Sequence, residues 1–240
     1  QAGAAETVPL EARAGDDFGL RRVALTYAVS GGPAQSMELF VSGDERVTDH
    51  TVYHDIDLQA LRVEACDVIR YSLSAMDNRD PDPQLARSDV FFIVVRPDLD
   101  QEESEGNEGE QKKLDISALI AESKRLIRFT FDVLSLSPSE QAEPREQLAR
   151  DLRDLRLEVR KTFNEAMSMA GGNVGGPIPE LFGAADQELG AALAVLEQQQ
   201  LEESVAPQER ALGNLVRLEN ELLKNAARSR SREGSEGEEA

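Results

Sequence analysis

The residues whose type and spacing come nearest to chemistry are four aspartates in two short stretches. Asp16 and Asp17 stand together in "ARAGDDFGL", and Asp77 and Asp80 belong to "DNRDPDP", where Asn78 and Asp82 add further oxygens. Carboxylates and carboxamides are hard ligands, so two such loops at one end of a domain would offer oxygen to a calcium ion. The same residue types also build turns, because Asp and Asn hydrogen-bond nearby backbone and Gly19 adopts conformations closed to other residues. On the residues alone both readings stand.

Other constellations point away from catalysis. His50 and His54 lie four apart in "VTDHTVYHDID", a β-branched and aromatic stretch. In a strand, positions four apart share a face yet sit about 13 Å from each other, too far to hold one metal ion. The chain contains no "GxSxG", "HExxH", P-loop or dinucleotide fingerprint, and the glycine run at 171–176 follows a helical pattern and lacks a trailing Lys-Ser or Lys-Thr. Paired carboxylates are abundant among 46 acidic residues, but a sugar cleft also wants aromatic rings, and tryptophan is absent. Cys66 is the single cysteine, which excludes an intrachain disulfide and a cysteine-cluster metal site. The expectation is a non-enzyme with no cofactor, calcium at Asp16, Asp17, Asp77 and Asp80 being the one candidate.

The elements that must position these residues change character along the chain. Residues 1–97 show period-two alternation: Val8, Leu10 and Ala12, then Val23, Leu25, Tyr27 and Val29, then Met37, Leu39 and Val41, Val52 and Ile56, and Ile69, Tyr71 and Leu73. "DVFFIVVR" at 89–96 is apolar on both faces and reads as a central strand. Six or seven short strands separated by turn clusters predict a β-sandwich of the immunoglobulin or fibronectin type.

Residues 98–111, "DLDQEESEGNEGEQ", hold seven acids and no base. Such a stretch buries too little to offset its ordering entropy and reads as a flexible linker. Residues 112–228 then repeat apolar side chains at helical steps, predicting about four helices in a bundle or in long helical hairpins. "SPSE" at 137–140 reads as a capping box for the second helix, with Leu148, Leu152, Leu155, Val159 and Ala166 as its core stripe. The third helix would bury Ile178, Leu181, Phe182, Ala185, Leu189, Leu193 and Leu196, and the fourth Leu212, Leu215, Leu222 and Leu223. The polar residues 229–240 read as a disordered tail. The fold class is thus α+β in separate domains, strands first.

Charge narrows the partners. A net charge of -20 repels phosphate backbones and anionic lipid, so nucleic acid is not an expected partner. No apolar run reaches the roughly 20 residues that span a bilayer, and the opening residues lack the pattern of a signal peptide. Gln1 as the first residue suggests a piece of a longer protein.

Three stretches together resemble a family of large, uncharacterised bacterial envelope proteins of unknown function. They are "ARAGDDFGLRRVALTYAVSGG", then "DVIRYSLSAMDNRDPDPQLARSDVFFIVVRP", and "DISALIAESKRLIRFTFDVL" followed by "PQERALGNLVRLENELL". The resemblance implies an immunoglobulin-like domain, an extracytoplasmic or periplasmic position, and a membrane anchor upstream of the sequence in hand. It also implies work beside AAA-type ATPases and von Willebrand A-type proteins, with no catalytic residues to carry over. It favours the architectural reading of "GDDFGL": Asp17 bonding backbone amides, Phe18 or Leu20 packed on the end of the sandwich, and Gly19 in a strained turn. The functional expectation is a scaffolding module whose helical region binds a protein partner or self-associates, with a calcium-dependent adhesion or ligand-binding module as the alternative.

Overall fold

A computed structural model of the chain describes residues 2–43, 46–97, 116–169 and 176–236, with the side chains of the last helix as far as residue 225. The acidic stretch 98–111 and residues 170–175 lie outside the described residues. The chain divides into two compact units, Gln1–Glu102 and Glu103–Ala240.

The first unit is built of strands: β1 (Ala2–Gly3), β2 (Thr7–Gly15), β3 (Leu20–Val29), β4 (Gln35–Val41), β5 (Asp49–Asp57), β6 (Val68–Asp77), β7 (Leu85–Arg87) and β8 (Phe91–Arg96). One sheet runs β1-β8-β6-β3-β4 with β7 added to β6, while β2 and β5 pair as a two-stranded ladder. β1 lies parallel to β8; the other pairings are antiparallel. Alternation along the strands sends Leu10 and Ile56 of the ladder, Leu25, Ile69, Ile93 and Val95 of the larger sheet, and the adjoining Leu58 into one core.

The two sets of strands are joined by one ribbon. The β2–β5 ladder ends at Gly15 opposite Asp49, and the β3–β4 ladder begins with Arg22 opposite Val41. Between them the hydrogen bonds continue: Asp16 N–H to Thr48 O (2.9 Å), Leu20 N–H to Val47 O (2.6 Å) and Ser42 N–H to Arg21 O (2.9 Å). Strands that switch layers do so through bends and bulges, and here the bend falls at "GDDFGL". The unit is a curled sheet closing over its own core, with six strands against two.

The second unit is helical: α1 (Ser117–Ser135), α2 (Ala142–Met169), α3 (Ile178–Glu197), a 3-10 turn at Glu202–Ser204, and α4 (Val205–Glu236). α1 packs on α2 and α4, and α3 packs on the same two, so the four helices form a ring around a shared core. α2 buries Leu148, Leu152, Leu155, Val159 and Ala166, the stripe its spacing predicts. α1 buries Leu126 and Val133 together with the polar Ser123 and Thr130.

Two expectations are corrected. In "SPSE" the Glu140 carboxylate accepts from Ser137 N–H (3.2 Å) and Ser137 O–H (2.5 Å), but the Ser137 hydroxyl caps no amide among the described residues and the contact closes a turn ahead of α2. Gln141 Nε2 ties that turn back to Leu136 O, and the helix opens only at Ala142. Leu223, expected in the core, is 59% exposed. Ser117 at the start of α1 hydrogen-bonds Glu219, so α4 runs on past the first residue of its neighbour. That helix continues to Glu236. No described helix is long and apolar enough to cross a membrane.

Candidate functional site

The corner of the ribbon brings the two acidic stretches together. Leu20 opposes Asp77 at the end of the β3–β6 ladder, which places the turn before β3 against the turn after β6. Asn78 N–H donates to Gly19 O (2.8 Å), and Asn78 Nδ2 donates to Leu20 O (3.2 Å). Gly19 holds φ at +96°, and a Cβ built there would lie 3.0 Å from Arg46 Cγ. The chain at that point needs glycine for its backbone and for the space around it.

The four aspartates have different tasks. Asp16 Oδ1 accepts from Phe18 N–H (2.8 Å), closing the turn over its own chain. This is the backbone-bonding role expected of Asp17, which is instead exposed and offers its backbone carbonyl to Arg46. The assignment follows from position: Asp16 lies two residues before the amide that needs an acceptor. Leu20 is buried as expected, while Phe18 is 45% exposed beneath the Arg79 guanidinium, 4.2 Å from its ring centre.

Asp77 is 3% exposed, and its Oδ1 accepts from Gln84 N–H (2.6 Å) and Arg79 N–H (3.3 Å). Its Oδ2 has no hydrogen-bond partner and faces Arg79 Nε at 3.8 Å. Asp80 is exposed on the same loop. Among the described residues no group of three or more His, Cys, Asp or Glu is arranged to hold a metal ion. His50 and His54 lie on β5, His50 stacked on Phe40 with ring centres 4.0 Å apart.

The helical unit carries charged and polar groups that apolar periodicity does not report. Asp186 of α3 takes a double fork from α2, with Arg156 Nε at 2.8 Å and Arg160 Nε at 2.6 Å. These guanidiniums, Arg156 foremost, hold the Asp186 carboxyl down at about 2. Gly190 makes room for the clamp, since a Cβ there would sit 3.1 Å from the Arg156 guanidinium. Inside the ring, Gln208 Nε2 of α4 donates to Thr130 Oγ1 of α1 (3.1 Å) and to Ser204 Oγ (3.2 Å). All three are buried, so the network sets the register of α1 on α4.

Two shallow clefts lie on the surface. One of about 340 Å³ sits on the β2–β5 ladder between Pro9, Glu11, Tyr53 and Asp55. The other, about 320 Å³, lies between the first half of α2 and the end of α3 and is lined by Arg145, Glu146, Ala149, Arg150, Arg153, Leu196 and Glu197. Its arginines were legible only as part of a helix rich in both signs of charge. No protein-family model matches the chain, and neither curated proteins nor solved structures give a match.

Proposed function

We propose that the chain is a non-catalytic protein-interaction or scaffolding module of a membrane-anchored bacterial envelope protein, placed on the extracytoplasmic side. The sheet unit serves as a rigid spacer, and the helical unit binds a protein partner or a second copy of itself. An immunoglobulin- or fibronectin-type ancestry of the sheet unit belongs to the same proposal. Its support is the sharing of one core by two sets of strands, although six against two is an uneven division. The anchor upstream, and neighbours of the AAA-ATPase and von Willebrand A types, are further parts of the reading.

The observation that carries the proposal is modular. Each unit has buried residues of its own, and both leave large apolar side chains exposed: Leu157, Met169 and Leu223 on the helices, and Met37, Val41, Tyr53 and Phe91 on the strands among them. Single exposed apolar side chains are common on any surface, and those on the helices become anchors only where another chain covers them, which is what the test reads. The test uses the full chain with a photo-crosslinking side chain at Leu157 or Leu223, and at Tyr53 on the sheet unit as control. Added to solubilised bacterial envelope, the helical positions are expected to give a discrete adduct that Tyr53 does not. Adducts at none of the three positions, or equally at all of them, would sink the reading.

A calcium-dependent adhesion or ligand-binding module is the second reading, favoured by one observation: the buried Asp77 Oδ2 has no hydrogen-bond partner where the two acidic loops meet. The Arg79 cation 3.8 Å away counts against a second cation there. A ligand of the folded state raises its stability, so thermal melts in millimolar calcium and in chelator decide. Coincident melts would eliminate calcium.

A further inference from the structure

We propose that the groove between α2 and α3 lined by Arg145, Arg150 and Arg153 binds the carboxylate side chains of an acidic peptide segment on a partner protein. The proposal rests on the protein-interaction reading and gives that interaction a surface and a chemistry.

In a chain with 46 acidic and 26 basic residues, an arginine finds a carboxylate easily, and elsewhere in the bundle arginines do. Arg125 lies 2.7 Å from Glu122 and 2.9 Å from Asp151, Arg156 and Arg160 share Asp186 at 2.8 and 2.6 Å, and Arg210 lies 2.9 Å from Glu188. The groove departs from that pattern. Arg153 is 3.5 Å from Glu197, and Arg145 makes no ion pair among the described residues; Arg150 is 3.9 Å from Glu146 but donates to Gln147 Oε1 at 2.8 Å. Arg145 and Arg153, two turns apart, are thus left with weak claims on their own chain, while Arg150 is held by Gln147.

The surroundings define what fits. Arg145, Ala149 and Arg153 fall at four-residue steps on one helix face, and the small Ala149 between the two arginines leaves the space that forms the groove. Leu196 of α3 adds an apolar side chain to the lining, suited to the methylenes of a glutamate. α2 begins at Ala142, so the positive end of its dipole lies within a turn of Arg145. A guanidinium fork receives a carboxylate bidentately. Glu146 and Glu197 cancel two of the three positive charges, so the groove holds one or two carboxylates by guanidinium forks rather than by net charge.

The test is fluorescence anisotropy of the full chain with a labelled hexaglutamate peptide, with hexaglutamine as the uncharged control and citrate as a free polycarboxylate. Binding is expected at about 20 mM salt and should weaken several-fold at about 150 mM. Arg145→Ala and Arg153→Ala should each weaken it roughly five- to tenfold. Arg13→Ala, on the sheet unit, should leave it unchanged. Arg145 has no ion pair to lose, so its variant also keeps the thermal melt of the parent chain. No binding up to about 1 mM peptide would overturn the proposal. So would equal binding of hexaglutamine, affinity indifferent to both substitutions, or citrate competing as strongly as the unlabelled peptide. If envelope crosslinking succeeds while hexaglutamate fails, the interaction reading stands and the groove falls. The reverse result leaves an anion-binding groove and removes the envelope partner.

Discussion

Single residues at the ribbon corner divide into those that shape the backbone and those that fill it. Gly19 at φ +96° tolerates a side chain badly, and a β-branched one worst, because Arg46 Cγ would lie 3.0 Å from the added carbon. Gly19→Val should therefore destabilise the sheet unit by about 1–3 kcal/mol, read as a lower urea midpoint. Asp77 and Asp16 separate the two kinds of acidic turn residue. Asp77→Ala strips acceptors from Gln84 and Arg79 and leaves the Arg79 guanidinium without its counter-ion, a loss of about 2–3 kcal/mol. Asp16→Ala removes one bond at a half-exposed turn and should cost about 0.5–1 kcal/mol. Equal losses in denaturant titrations would mean that burial of Asp77 is not what distinguishes them. That each acidic stretch turns the chain was legible in the sequence, since Asp, Asn and Gly crowd where the chain turns between alternating runs, but that the two turns meet was not. Which of two adjacent aspartates bonds the backbone was not legible. Burial of Asp77 depends on the facing position of Leu20, which lies 57 positions earlier and leaves no local trace.

Elements were legible in proportion to how apolar their contacts are. The α2 stripe matches its periodicity because every buried position in it is apolar. In α1 the same reading misses Thr130 and Ser123, whose burial depends on polar partners that periodicity does not register, Gln208 in the case of Thr130. β1 and β7 are two and three residues long, too short for alternation to register. The α2–α3 pairing likewise uses a clamp of charges, Arg156 and Arg160 on Asp186, and so carries a pH signature. The Asp186 carboxyl is held at about 2 in the folded chain, below its ordinary value. A depressed carboxyl stabilises the fold fully above the unfolded pKa of about 3.9, and the contribution disappears as pH falls through the folded value. Asp186→Asn should thus lower stability by about 1 kcal/mol near neutral pH, a modest figure for partly exposed pairs. The difference between variant and parent should shrink between about pH 4 and pH 2. A gap that persists unchanged at about pH 2 would mean that the clamp acts through packing alone.

At the scale of the whole molecule, the change from period two to period 3.6 across the acidic stretch corresponds to a division into two compact units. Both ends of that change were visible in the sequence because each pattern persists for several elements. The curl of the sheet was not, since alternation gives the face a residue takes and not where a ribbon bends. The helical ring buries Leu126, Ile127, Leu148, Leu152, Leu189, Leu212 and Leu215 completely or nearly so, contributed by all four helices. Fully burying a leucine or isoleucine is worth about 1.5–3 kcal/mol, and such a core supports cooperative folding in a unit of this size. Residues 112–240 expressed alone should therefore show the circular dichroism of a helical protein and a single sigmoidal melt. Removing a core side chain supplies the control: Leu152→Ala in that fragment should lower its urea midpoint by an amount equivalent to about 2–5 kcal/mol. A broad, non-cooperative melt of the fragment, insensitive to Leu152→Ala, would show that the ring depends on residues 1–111 for its stability. The scaffolding role would then have to be assigned to the chain as one body.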